Sequence, residues 1–222
     1  MSPAGRRREG LLRGRKSGLF VVLEGLDGAG TTTQARLLAE ALRKSGRRVH
    51  ATAEPSRGPV GSLVRQVLAR RVTGGGADAF DPFALALLFA ADRLDHVASE
   101  IAPKVRAGMC VVCDRFTLSS LAYQAVTTSD LDWVDRVNGM ALSPDLTVFL
   151  RVRAAVAFRR RLAETADREI FEVRAFQRKV AEGYERAIAH LRAAGQRIAE
   201  VDGEASVAAV AAAVLAEVEK LR

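Results

Sequence analysis

The sequence is poor in cysteine, histidine and aromatic residues. Its 222 residues include two cysteines, three histidines, nine phenylalanines, two tyrosines and one tryptophan. So few cysteines exclude a fold that depends on several disulfides. No apolar run is long enough to cross a membrane, so we expect no membrane partner. The remaining composition, 49% hydrophobic and 27% charged, is typical of a globular domain.

The two cysteines, Cys110 and Cys113, form a C-x-x-C pattern, which in other contexts indicates redox or metal chemistry. A three-residue offset on a strand places the two side chains on opposite faces of a sheet. There is no second cysteine pair, and the histidines are scattered along the chain. We therefore predict two buried, reduced thiols and a cytoplasmic protein.

Positive charge is concentrated at the amino terminus. The net charge is +8, and residues 1–18 contribute +5 of it through six basic residues and one glutamate. The remaining +3 does not favour a nucleic-acid partner. The segment has no apolar core, so it does not resemble a secretory signal. We expect a short disordered extension or a misassigned start codon, with an organelle transit peptide as the alternative.

A glycine-rich segment follows the first predicted strand. Gly25, Gly28 and Gly30 give the backbone freedom that a phosphate-cradling loop needs in front of a helix N-terminus. Their spacing matches the P-loop pattern G-x-x-x-x-G-K-[ST]. Thr31 stands where that pattern has lysine, and Thr32 takes the hydroxyl position that holds Mg²⁺. By itself the loop fits equally well an ordinary glycine turn of an α/β fold.

Five short apolar segments separated by helical patterns predict a parallel sheet covered on both faces. The predicted strands are Leu19–Glu24, Arg48–Ala53, Met109–Cys113, Leu146–Val152 and Gln196–Val201. Ligands of such sheets bind at the carboxyl ends of the strands. The glycine-rich loop, Glu54-Pro55 and Asp114-Arg115 all fall at these ends.

Two further patterns indicate a second site. Phe89 and Arg93 are four residues apart on one predicted helix, so they share a face on which a base can be stacked and bonded. Phe89 also fits an ordinary core position, whereas an unpaired Arg93 in an apolar helix would be costly. Arg115 is suited to clamping a phosphate, or alternatively to a structural pair with Asp92 or Asp114.

The ordered set of motifs resembles the thymidylate kinase family, whose members phosphorylate dTMP with ATP. The segments that carry the resemblance are Glu24–Gly30, Thr32–Gln34, Glu54-Pro55, Leu87–Arg93, Asp114–Phe116, Ser119-Ser120, Ala122–Gln124 and Pro144–Thr147. The resemblance implies an α/β P-loop nucleoside monophosphate kinase fold with a five-stranded parallel sheet and a LID segment. It places a kinase domain at 19–222, a LID at about 154–170 and a basic tail at 1–18.

The resemblance also implies site residues and partners. The ATP-binding residues are Gly25, Leu26, Asp27, Gly28, Ala29, Gly30, Thr31, Thr32 and Thr33, with Mg²⁺ held by Thr32 and Asp27. The dTMP-binding residues are Glu54, Pro55, Phe89, Arg93, Arg115, Ser119, Tyr123 and Gln124. The catalytic residues are Asp27, Arg115, Arg160, Arg161 and Arg168. A homodimer is expected, because the family usually forms one.

Individual roles follow the family in the same way. Phe89 resembles the ring stacked on thymine, Arg93 the residue that bonds the base edge, and Tyr123 the aromatic packed against the deoxyribose. Because the glycine-rich loop has no arginine, the family pattern assigns catalytic arginines to the LID. Two positions depart from the family. Thr31 replaces the loop lysine, which leaves a catalytically silent nucleotide-binding protein as the alternative. Arg151 replaces a frequent aspartate, which predicts altered LID anchoring or added positive charge near the phosphates.

Overall fold

The computed structural model describes residues 18–69, 80–162 and 170–221, apart from the side chains of 161, 162 and 170–173. Its five strands form one parallel sheet in the order β2-β3-β1-β4-β5, which confirms the predicted fold class. The strands are β1 Phe20–Gly25, β2 Val49–Ala53, β3 Cys110–Asp114, β4 Leu146–Arg151 and β5 Ile198–Asp202. Each lies within two residues of its predicted bounds.

Helices connect successive strands. They are α1 Thr31–Lys44, α2 Pro59–Leu68, α3 Pro82–His96, α4 Ala102–Arg106, α5 Thr117–Thr128, α6 Leu131–Asn138, α7 Ala154–Leu162, α8 Ile170–Ala193 and α9 Val207–Glu219. The side chain of Asp81 accepts a hydrogen bond from the Ala84 amide at 2.8 Å, as expected of the residue that caps α3. None of the described helices is both long and apolar enough to cross a membrane.

The central strand β1 is buried on both faces, so its side chains alternate between two cores. Val21 and Leu23 belong to one cluster, and Phe20 and Val22 to the other. The cysteines of β3 follow the same alternation. Cys110 lies in the first cluster and Cys113 in the second, and both are free thiols, as predicted.

Two of the described helices end or depart from regular α-helical form next to a glycine or a proline. Helix α6 ends at Asn138, and the next residue is Gly139, whose amide donates to the Arg136 carbonyl in a tight turn. The helix that begins at Pro82 contains a π-helical turn, Val97–Ile101, before it continues to Arg106. Pro103, just after that turn, has no N–H with which to continue the regular hydrogen-bond pattern.

The carboxyl ends of β1, β2 and β3 lie side by side because β3 pairs with both neighbours. The pairing continues beyond the strands, since the Arg115 amide donates to the Leu23 carbonyl at 2.9 Å and the Glu54 amide to the Asp114 carbonyl at 3.0 Å. The glycine-rich loop and the two motifs that follow β2 and β3 therefore meet at one edge of the sheet.

Candidate active site

The glycine-rich loop has the conformation that an anion-binding loop requires. Gly28 and Gly30 have φ angles of 89° and 92°, which side-chain-bearing residues rarely adopt. A Cβ at Gly25 would lie 2.9 Å from the Cβ of Ala29, so the loop closes tightly on itself. Gly30 caps α1 without a side chain. The amides of the first helical turn are thus available to an anion, with the helix dipole behind them.

A cavity of about 920 Å³ opens over this loop, and we call it the P-loop cavity. The described residues that line it are Asp27, Gly28, Ala29, Gly30, Thr31, Thr32, Thr33, Gln34, Arg115, Arg160, Gly203, Ala205, Val207 and Val210. Seven of the nine predicted ATP-binding residues are among them. The other two, Gly25 and Leu26, are buried at the end of β1 and in the loop that follows it.

Oxygen atoms suited to Mg²⁺ come together at the start of α1. The Thr32 hydroxyl donates to Oδ2 of Asp114 at 2.5 Å, while Oδ1 of Asp114 is buried with no hydrogen-bond partner among the described residues. No three acidic, histidine or cysteine side chains in the described part of the chain form a metal site on their own. A Mg²⁺ ion held by Thr32 and Asp114 would therefore take further ligands from nucleotide phosphates and water.

The predicted metal ligand Asp27 has other partners. Its Oδ1 accepts from Nη2 of Arg115 at 2.8 Å, and its Oδ2 accepts from Nε2 of Gln177 at 3.4 Å. Asp27 is thereby turned towards the arginine, so the geometry favours Asp114 over Asp27 as the metal ligand.

Of the arginines considered for the loop, Arg160 lies in the P-loop cavity, where its Nη1 donates to the Gly203 carbonyl at 2.9 Å. The side chain of Arg161, and the whole of Arg168, lie outside the described residues. The expectation that Arg151 adds charge near the phosphates is wrong. Its guanidinium is half-exposed and forms ion pairs with Glu185 and Glu200, whose carboxylates neutralise it.

A second cavity, of about 570 Å³, lies beside the first, and we call it the Phe89 cavity. All eight residues predicted to bind dTMP line it: Glu54, Pro55, Phe89, Arg93, Arg115, Ser119, Tyr123 and Gln124. The structure also places Leu68, Leu85, Phe116, Ser120, Thr127 and Phe176 in its wall. The cavity is thus mostly apolar, with polar groups at a few positions, as is typical of a site for a small organic molecule.

Arg115 is held at the junction of the two cavities. Its backbone has a φ of 69°, and its Nη2 forms the ion pair with Asp27. Its Nη1 donates to the Ser119 hydroxyl at 3.2 Å and to the Tyr184 hydroxyl at 3.3 Å. The predicted alternative, a structural pair with Asp92 or Asp114, is not what the structure shows. Asp92 instead accepts hydrogen bonds from the amide and hydroxyl of Ser56.

The two cavities share two wall residues, Asp27 and Arg115. A guanidinium between two cavities can contact an anionic group in either one. If each cavity holds a phosphorylated molecule, the arginine can therefore bridge their facing phosphates. Such an arrangement would supply the positioning and charge neutralisation on which phosphoryl transfer depends.

Arg93 is almost fully buried, with 1% of its surface exposed, and is fixed by several partners. Its Nη2 lies 2.8 Å from Oε2 of Glu54, and its Nη1 donates to the Ser120 hydroxyl at 3.0 Å. The Nε–H is buried and has no hydrogen-bond partner within the described chain. The Arg93 side chain also lines the Phe89 cavity, so its guanidinium is a candidate contact for a carbonyl oxygen of a bound base.

Glu24 is fully buried in β1 and accepts hydrogen bonds at the start of α5. Its Oε1 accepts from the amides of Phe116 and Ser119, at 2.8 and 3.0 Å, and its Oε2 accepts from the Ser119 hydroxyl at 2.5 Å. Burial raises the pKa of Glu24 to about 7, although the Arg115 charge and these hydrogen bonds act in the opposite direction. Glu24 therefore fixes the start of α5. Because its pKa is raised to about 7, the Glu24 carboxyl changes its protonation state near neutral pH.

Sequence reasoning gave no binding or catalytic role to several residues that the structure places at or beside the site, among them Glu24, Asp114, Phe176 and Tyr184. The sequence does contain a signal for Asp114 and Glu24, because a carboxylate in a buried, otherwise apolar strand is unusual. It contains none for Phe176 and Tyr184, because they look like ordinary apolar positions of the long helix α8.

The parallel sheet, the glycine-rich loop and the paired cavities together define a P-loop nucleoside monophosphate kinase, a phosphotransferase. The family model for thymidylate kinase matches residues 23–214. The chain is 44% identical over 144 residues to the "Probable thymidylate kinase" of Pyrococcus horikoshii, covering 64% of this chain and 69% of that protein. It is 40% identical over 164 residues to the protein of the same name from Thermococcus kodakarensis, covering 70% and 78%. The chain belongs to the thymidylate kinase family.

The buried Glu24 predicts a pH dependence of stability. Between pH 4.5 and about 7, the Glu24 carboxyl is protonated in the folded protein and ionised in the unfolded chain. The stability gained from this proton is present in full below pH 4.5 and is lost as the pH rises through 7, by about 3 kcal/mol. Urea unfolding across this range should show a free energy of unfolding that falls less steeply with pH in Glu24→Gln than in the wild type. The exposed Glu40→Gln is the control, and equal slopes in all three proteins would contradict the raised pKa.

Proposed function

We propose that the protein transfers the terminal phosphoryl group of Mg-ATP to dTMP and so makes dTDP for dTTP synthesis. The observation that carries the proposal is that the P-loop cavity and the Phe89 cavity share Asp27 and Arg115. ATP would occupy the first cavity, and dTMP the second. Arg115 would then contact the acceptor phosphate from the side that faces the donor.

The lining of the Phe89 cavity suits a thymine base. The Phe89 ring offers a stacking surface, and the Arg93 guanidinium, which lines the same cavity, would donate to a carbonyl oxygen on the base edge. Thymine carries a carbonyl at the position where cytosine carries an amino group, so this donor would favour thymine. Tyr123 would pack against the deoxyribose and crowd the 2′ position.

The remaining features of the enzyme are part of the same proposal. Mg²⁺ would be bound by Thr32 and Asp114 together with the ATP phosphates, and residues 154–170 would form the LID of a single kinase domain at 19–222. Catalytic contributions would come from Arg115 and Asp27 and from LID arginines, of which Arg160 lies at the cavity. The buried free thiols suit a reducing cytoplasm.

A coupled assay of dTDP formation from dTMP and Mg-ATP tests this function. Wild type should be active, and Arg115→Ala should lower kcat/KM for dTMP about ten- to a hundredfold. The reason is that a charge-assisted hydrogen bond is worth about 1.5–3 kcal/mol. Arg36→Ala, on the exposed face of α1, is the matched control and should leave kcat/KM unchanged. An Arg115→Ala enzyme that folds and retains full efficiency would remove Arg115 from the acceptor site.

The second candidate function is a catalytically silent nucleotide-binding protein, because Thr31 supplies no positive charge to the loop. We propose instead that arginine compensates, with Arg160 as the described candidate. Thr31→Lys should then change kcat by less than about tenfold. Arg160→Ala should lower kcat by a larger factor in the wild type than in the Thr31→Lys background, where the lysine restores the charge.

These measurements separate the two candidate functions. An inactive wild type that Thr31→Lys activates would contradict compensation. An inactive wild type that stays inactive with lysine, yet binds dTMP, would favour the silent protein.

We further propose that the enzyme is a homodimer that pairs through α3. The outward face of this helix carries Phe83 and Leu87, which are 42% and 49% exposed, and the exposed Ala91 follows at the same spacing. An exposed apolar stripe of this kind is typical of a helix that packs against another chain.

Sedimentation equilibrium tests the dimer. The wild type should show twice the 23.9 kDa mass of the chain, and Leu87→Glu should show the mass of one chain, because a charge would be buried at the interface. Ala213→Glu, on the exposed face of α9, should stay dimeric. A dimeric Leu87→Glu would place the interface elsewhere.

A further inference from the structure

The hydroxyl of Tyr184 occupies a central position behind the junction of the two cavities. Tyr184 lies on α8, is fully buried and is not among the described residues that line either cavity. Its oxygen is 2.9 Å from the Gly25 carbonyl, 3.0 Å from the Ser119 hydroxyl, and 3.3 Å from both Nη1 of Arg115 and Oε2 of Glu24. One phenol therefore touches the glycine-rich loop, the arginine and the buried carboxylate.

The number of available protons determines the direction of these hydrogen bonds. Arginine can only donate, and a phenol has one proton and two lone pairs. The Ser119 hydroxyl donates to Glu24 at 2.5 Å, so its proton is used there when Glu24 is ionised. The Tyr184 proton is then directed to the Gly25 carbonyl, its nearest acceptor. The Tyr184 oxygen is left to accept from Arg115.

The phenol ring is held independently of its hydroxyl. It packs against the Phe149 ring at 5.0 Å between centroids and meets the Tyr123 ring edge-on at 6.0 Å. Removal of the oxygen alone should therefore leave the packing of α8 against the sheet in place.

We propose that Tyr184 is a positioning residue that holds the Arg115 guanidinium in a fixed relation to the glycine-rich loop. Asp27 holds Nη2, and Tyr184 and Ser119 together hold Nη1, so both ends of the planar group are fixed. The N–H groups that remain can face a phosphate without a loss of side-chain freedom on binding. This inference rests on the proposed function, because it assigns to Arg115 the acceptor phosphate.

A comparison of dTMP with thymidine, which lacks the phosphate, tests the inference by calorimetry. Tyr184→Phe should weaken dTMP binding about three- to tenfold and leave thymidine binding unchanged within twofold. In an Arg115→Ala background, Tyr184→Phe should have no further effect on dTMP, since the arginine on which it acts is gone. Ser99→Ala, which removes a surface hydroxyl that donates to the Asp95 carbonyl, is the control and should change neither affinity.

Several results would overturn the inference. They are an unchanged dTMP affinity in Tyr184→Phe, an equal loss for dTMP and thymidine, and a loss that persists in the Arg115→Ala background. A wild type that binds dTMP no better than thymidine would overturn the role of Arg115 and this inference with it. A wild type that binds dTMP tightly but forms no dTDP would contradict the proposed kinase activity alone, because the binding comparison still decides the role of Tyr184.

Discussion

The ion pair between Arg115 and Asp27 is the interaction on which the site depends. It joins a residue that follows β3 to a residue of the glycine-rich loop, and both side chains face two cavities. Further hydrogen bonds hold both residues, because Arg115 also donates to Ser119 and Tyr184, and Asp27 also accepts from Gln177. In the proposed function, the position of this one guanidinium would determine how a phosphate in one cavity meets a phosphate in the other.

The sheet makes this ion pair possible. Parallel pairing of β1 with β3 brings Leu23 opposite Asp114, so the residues that follow each strand emerge side by side. Glu24 then ties the end of β1 to the start of α5, where its carboxylate receives two backbone amides and the Ser119 hydroxyl. The energetic cost of burying this carboxylate is reflected in its raised pKa. Strand order, a buried acid and a helix start thus act together to place Arg115.

Features with a local pattern could be predicted from the sequence. The spacing of the glycines predicts the phosphate-cradling loop that contains Gly28 and Gly30, and the apolar runs predict the strands. Contacts between residues that are far apart in the sequence could not be predicted in this way. Tyr184 lies 159 residues from Gly25, and nothing near it in sequence marks the contact. The prediction that Arg151 adds charge near the phosphates fails for the same reason, since its position in the chain does not reveal that two glutamates neutralise it.

The central claim is that the facing phosphates of donor and acceptor meet at Arg115. A crystal structure with dTMP and a non-hydrolysable ATP analogue tests it most directly. The account predicts thymine against the Phe89 ring, the dTMP phosphate within hydrogen-bond distance of the Arg115 guanidinium, and the terminal phosphates of the analogue over the glycine-rich loop. A complex in which dTMP lies outside the Phe89 cavity, or in which its phosphate points away from Arg115, would contradict the account.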